Sequence, residues 1–461
     1  MDCPIYEELL AENVRLRAEV ASLRTRLDEL TRLLEAAQAA GKRQAAPFAK
    51  KPPKPNPQTP GRKSGREHGA HGHRPPLADD QIDEELEAPL PKSCPHCQGR
   101  VIETHVDQQD QTELPLRPLY RRFHIHCGQC ESCGKAVRGR HALQTSDATG
   151  SAGSQLGPNA QAVVVYLNKH AGLSHGKVAA VMTEIGRVPL TRGASAQIVL
   201  RAGKRLRDPY QEIRESTRDS EYLTPDETGW RVGGHPVWLH ACVGDEATCY
   251  VIDKKRSADA LEEIIGIDWD GTMTHDGWSS YDRFKEAVHQ QCTSHVMRRA
   301  RNMEKSNSAA AKVFPRQVID LLKSGLAVRD GYEAGRVPEA ELLDRAEALT
   351  AKLDALTART PRNEANEKLA NHLRNHPGCW FSFVVNPETP ATNWKAEQAI
   401  RPAVVNRKVW GGNRTEAGAQ AQAVVMSVIQ TCKQQTRSAT TFISNAFRGV
   451  AGRLLGSASP E

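Results

Sequence analysis

The sequence predicts an α/β protein with a helical insertion in its core, and three N-terminal segments of different character. Three observations predict it. From 221 to 305 the apolar residues recur at strand period and then alternate between strand and helix. Before 146 the text passes from heptads to a basic Pro- and Gly-rich run and then to paired cysteines. From 306 to 385 the period is that of helices alone, and 386–461 adds an acidic and basic helix and a C-terminal region.

The first segment, 1–40, reads as a coiled-coil dimerisation helix. Leu9, Leu16, Leu23 and Leu30 form one heptad seam, and Asn13, Val20, Leu27 and Leu34 the other. A single Asn among apolar a positions fixes the register of a parallel dimer. Glu12 and Glu19 face Arg17 and Arg24 of a partner across the e and g positions. An amphipathic helix packed on its own domain is the alternative. Residues 41–80 form a basic linker with almost nothing apolar to bury, so no packed core is expected there. Arg62, Lys63 and Arg66 are its densest basic part and suit an arm lying along phosphates. His68, His71 and His73 read as linker histidines rather than a metal cluster.

Residues 81–145 read as a zinc-binding module. Cys94 and Cys97 form one CxxC turn, and "HCGQCESC" supplies Cys127, Cys130 and Cys133. Two such turns give four thiolates in a closed tetrahedral site, so the Zn²⁺ would be structural. Cys130 and Cys133 are preferred for the second pair because "CESCG" carries the Gly of a knuckle turn, with Cys127 the alternative. The region 146–220 is helical. Ser174 and Thr191 are expected N-caps, and Gly186 a stop, for two helices joined by a short turn. The pair suits a DNA-binding helix-turn-helix exposing Arg192, Arg201, Lys204 and Arg205, or an ordinary helical hairpin.

The core begins at "EYLTPDETGWRVGG", followed by strands "HPVWLHACVGD" and "ATCYVIDKK", a helix in "SADALEEIIG", strand "GTMTHDG", a helix in "SSYDRFKEAV", and strand "HQQCTSHV" running into a helix. Three meandering strands followed by alternating helix and strand is the order of a ribonuclease-H-like fold. There the first and fourth strands are neighbours, which would bring Asp226 and Asp276 together. Carboxylates forced close repel unless a cation lies between them. Mg²⁺ or Mn²⁺ takes oxygen ligands, and two such ions can serve phosphoryl transfer. The Gly shortly after each Asp would let a substrate backbone approach, and each following Trp is expected to pack under the strand end or to form a wall for DNA. Glu397, on a helix after a Pro-rich break, supplies a third carboxylate with Arg401 on the same face. Arg407, Lys408 and Arg414 extend the basic stretch. In the insertion, Leu342, Leu343, Ala346, Leu349, Leu353 and Leu356 make a helical stripe.

"DETGWRVGG", "DGWSSYDRF", "QCTSHVMRRAR" and "TNWKAEQAIRPAVVNRKVWGGNRT" closely resemble the bacterial DDE transposases of the insertion sequence 66 family. The resemblance covers nearly the whole chain. It implies Asp226, Asp276 and Glu397 as the catalytic, metal-holding residues. It also implies a supporting role for Cys292 and His295. Trp394 stands where many relatives carry Asn, and Cys127 is an additional cysteine beside the zinc turn. The activity implied is binding of an element's terminal inverted repeats, cleavage, and transfer of a 3′-OH end to target DNA. An inactive-core DNA-binding repressor, a structure-specific nuclease of the same fold and a coiled-coil scaffold are the rival readings. The implied partners are transposon-end and target DNA, a second or further copy of the chain, and accessory transposition proteins.

The net charge of +7 accords with a polyanionic partner. Hydrophobic residues make up 39%, which fits a real core plus solvated segments. The longest apolar run, "AVVVYL", is too short to span a bilayer, the start carries no basic leader, and a cytoplasmic, nucleoid-associated protein with reduced cysteines is expected. No phosphate-cradling GxxxxGK[ST] loop occurs, so ATP is not expected to be used.

Overall fold

The computed structural model describes residues 12–27, 29–30, 78–109, 111–112, 117–149, 155–304, 309–359 and 363–455. Arg62, Lys63, Arg66, His68, His71, His73, Leu9 and Leu34 lie outside them. The chain divides into two units, Met1–Leu114 and Pro115–Glu461. The division falls inside the stretch that the sequence groups as one cysteine module.

In the first unit, helix α1 spans 12–27 and continues over 29–30. Leu16, Val20, Leu23 and Leu30 are all exposed along it, so its apolar seam is open. Further on, Cys94 opens a tight turn. The Gln98 N–H donates to the Cys94 carbonyl at 2.8 Å, and the Cys94 N–H to the Gly99 carbonyl at 2.9 Å.

The second unit starts with an antiparallel hairpin, β1 (Cys127–Gln129) and β2 (Ala136–Arg138). Its connection closes in the same way as the Cys94 turn. The Gly134 N–H donates to the Cys130 carbonyl and the Cys130 N–H to Lys135, both at 2.8 Å. Gly134 has φ 67°, a left-handed value that a Gly adopts without strain.

Four helices follow: α2 (Pro158–Lys169), α3 (His175–Glu184), α4 (Arg192–Arg205) and α5 (Arg207–Arg218). Ser174 and Thr191 cap α3 and α4 as expected, accepting from the Lys177 and Ala194 N–H groups. The sequence reads one helix from 192 onward. The chain instead breaks at Leu206, which is fully buried with ψ 15°, and restarts with Pro209 in the next first turn, where its missing N–H costs no helical bond.

The sheet contains β3 (Tyr222–Val232), β4 (His235–Val243), β5 (Thr248–Asp253), β6 (Thr272–His275) and β7 (Val288–Gln291). Its order is β5-β4-β3-β6-β7. The first three strands are an antiparallel meander, whereas β6 and β7 run parallel to β3. Helix α6 (Asp259–Ile265) makes the crossover from β5 to β6. Strand residues alternate between the two faces. Leu223, Cys242, Cys249 and Met273 share a core with residues of α2–α6, whereas Trp230, Val232, Leu239, Ala241 and Tyr250 share another with Ala396, Ala399, Ile400 and Ala403.

Between β6 and β7 the expected helix over "SSYDRFKEAV" is only a 3-10 turn, Ser279–Arg283. Tyr281 and Phe284 are both drawn into the core, and that pull overrides local helical pattern. After β7 come α7 (Thr293–Met303) and the insertion: α8 (Val313–Glu333), α9 (Leu342–Ala358), α10 (Glu364–Arg374) and the short α11 (Ser382–Val385). The insertion has a core of its own, including Val318, Leu322, Leu349, Leu353, Leu369 and Trp380. Of the α9 stripe, Leu342, Ala346, Leu349 and Leu353 are buried and Leu356 packs at the margin. Leu343 is exposed, because it falls one residue off the three-four spacing of the buried face. Helix α12 (Trp394–Trp410) lies on the sheet, α13 (Glu416–Gln434) is largely buried, and α14 (Ala439–Arg448) ends the described fold. No helix of the described residues is long and apolar enough to cross a membrane.

Candidate active site

Asp226 sits inside β3 rather than at its end, and Asp276 immediately follows β6. Tyr222 pairs with Thr272 and Leu223 with Met273 in a parallel ladder. Extended along both chains, this register sets Asp226 beside Asp276. The ladder hydrogen bonds stop at Leu223, so the strands part below the two acids. A crevice beyond the carboxyl ends of parallel strands is where α/β sheets bind ligands.

Alternation along β3 explains the adjacent acids Asp226 and Glu227. Asp226 shares the face of Trp230 and Val232, on which α12 packs; Glu227 takes the opposite face. Helix α12 carries Glu397 in its first turn, where the helix dipole favours negative charge. Hydrogen bonds tie the segment before α12 to β6 and to the start of α7. The Thr274 hydroxyl donates to the Pro390 carbonyl at 2.7 Å, and Thr293 donates to the Ala391 carbonyl through both its N–H and its hydroxyl. Farther along, the Tyr250 hydroxyl donates to the Ala399 carbonyl. Pro402 removes one helical hydrogen bond within α12, so these anchors matter to its placement.

Cys292 and His295 complete the corner. His295 Nδ1 lies 3.2 Å from the Cys292 sulfur, and the Asn393 N–H donates to that sulfur at 3.4 Å. His295 Nε2 stands 3.5 Å from Glu397 Oε1. The Cys292 hydrogen bond, followed by the charges of Cys292 and Glu397, outweighs burial and raises the His295 pKa. His295 therefore carries positive charge more readily than a free imidazole, and it faces the third acid.

The carboxylates sense one another. Burial first, then the Glu227 charge, and then Asp276 and Glu397, push the Asp226 carboxyl up to about 7, against the hydrogen bond it accepts from the Glu227 N–H. Glu397 is about 42% exposed. Oxygen donors of this kind, with mutual repulsion that a cation would relieve, fit a hard divalent ion in chemistry. Among the described residues no group of three or more His, Cys, Asp or Glu is gathered closely enough to hold a metal ion. The acids share a neighbourhood without meeting at one point.

The glycines and tryptophans after each Asp serve the fold. Gly277 has φ 89°, and a Cβ there would lie 2.7 Å from Gln291 Oε1 and 3.0 Å from His372. A Cβ at Gly229 would lie 3.3 Å from the Arg407 guanidinium. Both glycines thus make room for side chains of this chain. Trp230 is 1% exposed, crosses Trp410 edge-on at 5.6 Å and donates to Asn413 at 2.7 Å.

The basic residues divide. Arg201 and Lys204 on α4, and Arg401 and Lys408 on α12, are exposed. So are Arg192 and Arg205. Arg407 instead turns inward and donates to the Thr228 hydroxyl and the Gly229 carbonyl, tying α12 to β3. The cysteines also divide. The Cys94 pKa is lowered by the His96 and Cys97 N–H groups, and the Cys130 pKa by the Cys133 N–H and thiol. Both turns thus favour thiolates. Cys127 lies in β1, outside such a turn.

The chain matches the family model described as "Transposase IS66 family" over residues 153–421. The chain belongs to the IS66 transposase family. The match covers more than half of the sequence and takes in α2–α12 and the whole five-stranded sheet, including all three acids. No curated protein matches the chain.

Sequence reasoning passed over two groups beside the site. Glu227 is the more important, because its side chain is 3% exposed and engaged by Arg256 and Tyr281. Strand alternation alone could have separated its task from that of Asp226. The other is His372, brought from the insertion against Gly277, its pKa brought down to about 4 by burial and then by the neighbouring His376 and Arg299. No local pattern marks it.

Proposed function

We infer that this family member is a DDE transposase in which Asp226, Asp276 and Glu397 together hold divalent Mg²⁺ or Mn²⁺. The observation that carries the reading is the parallel register of Tyr222 with Thr272 and Leu223 with Met273, which sets Asp226 beside Asp276, with α12 and its Glu397 packed on the Asp226 face of the sheet. The raised Asp226 carboxyl supports it, since a cation would relieve the charge crowding there. The strand order β5-β4-β3-β6-β7, with its antiparallel meander and two parallel strands, supports a ribonuclease-H-like core. Bound Mg²⁺ or Mn²⁺ would supply a Lewis acid that stabilises charge at a phosphodiester and activates a hydroxyl nucleophile.

The chain's own groups do the rest. Asp226 gives up its proton when its carboxylate is engaged. His295 restrains Glu397. Arg201, Lys204, Arg401 and Lys408 offer exposed charge to phosphates, an interaction that weakens steeply with salt. Arg62, Lys63 and Arg66 add a basic arm. DNA ends bound in this way are cut to expose a 3′-OH, which then attacks target DNA. The open seam of α1 supports pairing of copies. Analytical ultracentrifugation tests it, and an unchanged mass for Leu23→Asp would remove it. The turns at Cys94–Cys97 and at Cys130–Cys133 each suit a pair of zinc thiolates, which supports structural Zn²⁺ binding. Elemental analysis showing no zinc, or zinc retained in Cys94→Ser, would oppose it.

The test of function is strand transfer with a precut end bearing a 3′-OH. Joining in Mg²⁺ or Mn²⁺, lost in Asp226→Asn, Asp276→Asn and Glu397→Gln, is expected. Cutting without joining favours a nuclease of the same fold. Specific end binding without any chemistry favours a repressor.

A further inference from the structure

Glu227 is the acid that the proposed chemistry leaves unused, and its surroundings give it a task. Its carboxylate lies on the sheet face away from Glu397. Oε1 accepts from Arg256 Nε at 2.9 Å and Nη2 at 2.6 Å. Oε2 accepts from the Tyr281 hydroxyl at 2.8 Å. Both donors lead to the segment that carries Asp276. Tyr281 lies in the 3-10 turn that follows Asp276 and is itself buried. The Arg256 guanidinium is sandwiched between two indoles, 4.9 Å from the Trp238 ring and 4.6 Å from the Trp278 ring. Trp278 crosses Tyr281 edge-on at 5.4 Å, and its backbone N–H donates to Asp276 Oδ1 at 3.0 Å.

The connections form a closed path. Asp276 accepts from Trp278, Trp278 stacks on Arg256, Arg256 binds Glu227, and Glu227 is next to Asp226 in β3. Tyr281 makes the second strut. Asp276 follows a four-residue strand that pairs with β7 up to His275 but with β3 only as far as Met273, so backbone pairing holds it to β7 and not to the strand of Asp226. A planar guanidinium can stack and bridge a carboxylate at once, which an ammonium cannot do in the same geometry.

We propose that Glu227 is a positioning residue that, through Arg256, Trp278 and Tyr281, holds the Asp276 turn in register with Asp226. The inference rests on the reading of Asp226, Asp276 and Glu397 as metal-holding acids. With the clamp loosened, part of the binding energy goes to ordering the Asp276 turn, so ion affinity falls. Groups that orient ligands from behind typically contribute about 10–100-fold to metal affinity.

The experiment measures Mn²⁺ binding by the full chain, reading free ion by electron paramagnetic resonance, without DNA. Tyr281→Phe removes one strut without changing shape, and Arg256→Lys keeps charge but loses the stack. Thermal midpoints are recorded beside each titration, and Asp276→Asn serves as the reference. The expected result is about tenfold weaker Mn²⁺ binding in both variants, and near-complete loss in Asp276→Asn, with midpoints close to the parent. Parent-like Mn²⁺ affinity in both variants, with loss in Asp276→Asn, overturns the positioning role and leaves the metal reading standing. Lower midpoints with unchanged affinity mark Glu227 as purely structural and also overturn it. No Mn²⁺ binding by the parent chain, or parent-like binding by Asp276→Asn, removes the metal reading itself and the inference with it.

Discussion

Asp226→Asn should stabilise the protein at alkaline pH while abolishing its proposed chemistry. Moving a carboxyl from 3.8 to about 7 disfavours its ionised form by about 4 kcal/mol. Asp226 is only partly buried, and water screens some of this, so about 2–4 kcal/mol is expected. The sign follows from proton binding. Between pH 4 and 7 the folded state holds the Asp226 proton more tightly than the unfolded state, so stability falls as pH rises through this window. The penalty is complete above the folded value. Asn carries no proton and suffers none of it. Urea unfolding of parent and variant at about pH 8 should show the variant more stable, and the difference should shrink towards zero near about pH 4. Saturating Mn²⁺ should reverse the order at about pH 8 by stabilising the parent alone. A variant no more stable than the parent at alkaline pH, or equally stabilised at both pH values, would refute the crowding of charge at this site.

Other groups give separate tests. His295→Ala removes the contact with Glu397 and should lower strand transfer by about 10–100-fold, with end binding in gel-shift assays unchanged. Arg407→Ala should lower the unfolding midpoint, since it removes charge-assisted bonds to Thr228 and Gly229 worth about 1.5–3 kcal/mol each. The salt dependence of its DNA affinity should stay as in the parent, whereas Lys408→Ala should reduce that dependence. Lys169 is buried, bonded to Gln422 and set over the Trp410 ring, and burial brings its pKa down to about 7. Its stability cost appears as pH falls below the unfolded value and is complete below the folded one. Lys169→Met should therefore raise the midpoint at about pH 6 by about 2–4 kcal/mol in stability and change it little at about pH 10.

Much of the core was legible because its signals are local. Strand period, turn residues and chain order gave all five strands of the sheet, and the equal offset of Thr272 and Asp276 from Tyr222 and Asp226 is visible once β3 and β6 are paired. Ser174 and Thr191 were legible as caps because their bonds run only to Lys177 and Ala194. What escaped depends on distant partners. Glu227 reads as a twin of Asp226 until Arg256 and Tyr281 arrive from two other segments. The turn at Ser279–Arg283 reads as helix until the core claims Tyr281 and Phe284. Arg407 reads as one more phosphate contact until Gly229 is seen making room for it. The break at Leu206 had a visible marker in Pro209, which the helical run on either side obscured.

The central claim is that Asp226, Asp276 and Glu397 engage a common divalent site. Anomalous diffraction from crystals of the full chain with a precut DNA end and Mn²⁺ tests it most directly. The account predicts Mn²⁺ peaks bound by carboxylate oxygens of Asp226 and Asp276, with Glu397 turned from His295 towards the same ions. Mn²⁺ held elsewhere, with these three acids left unligated beside the bound DNA end, would contradict it.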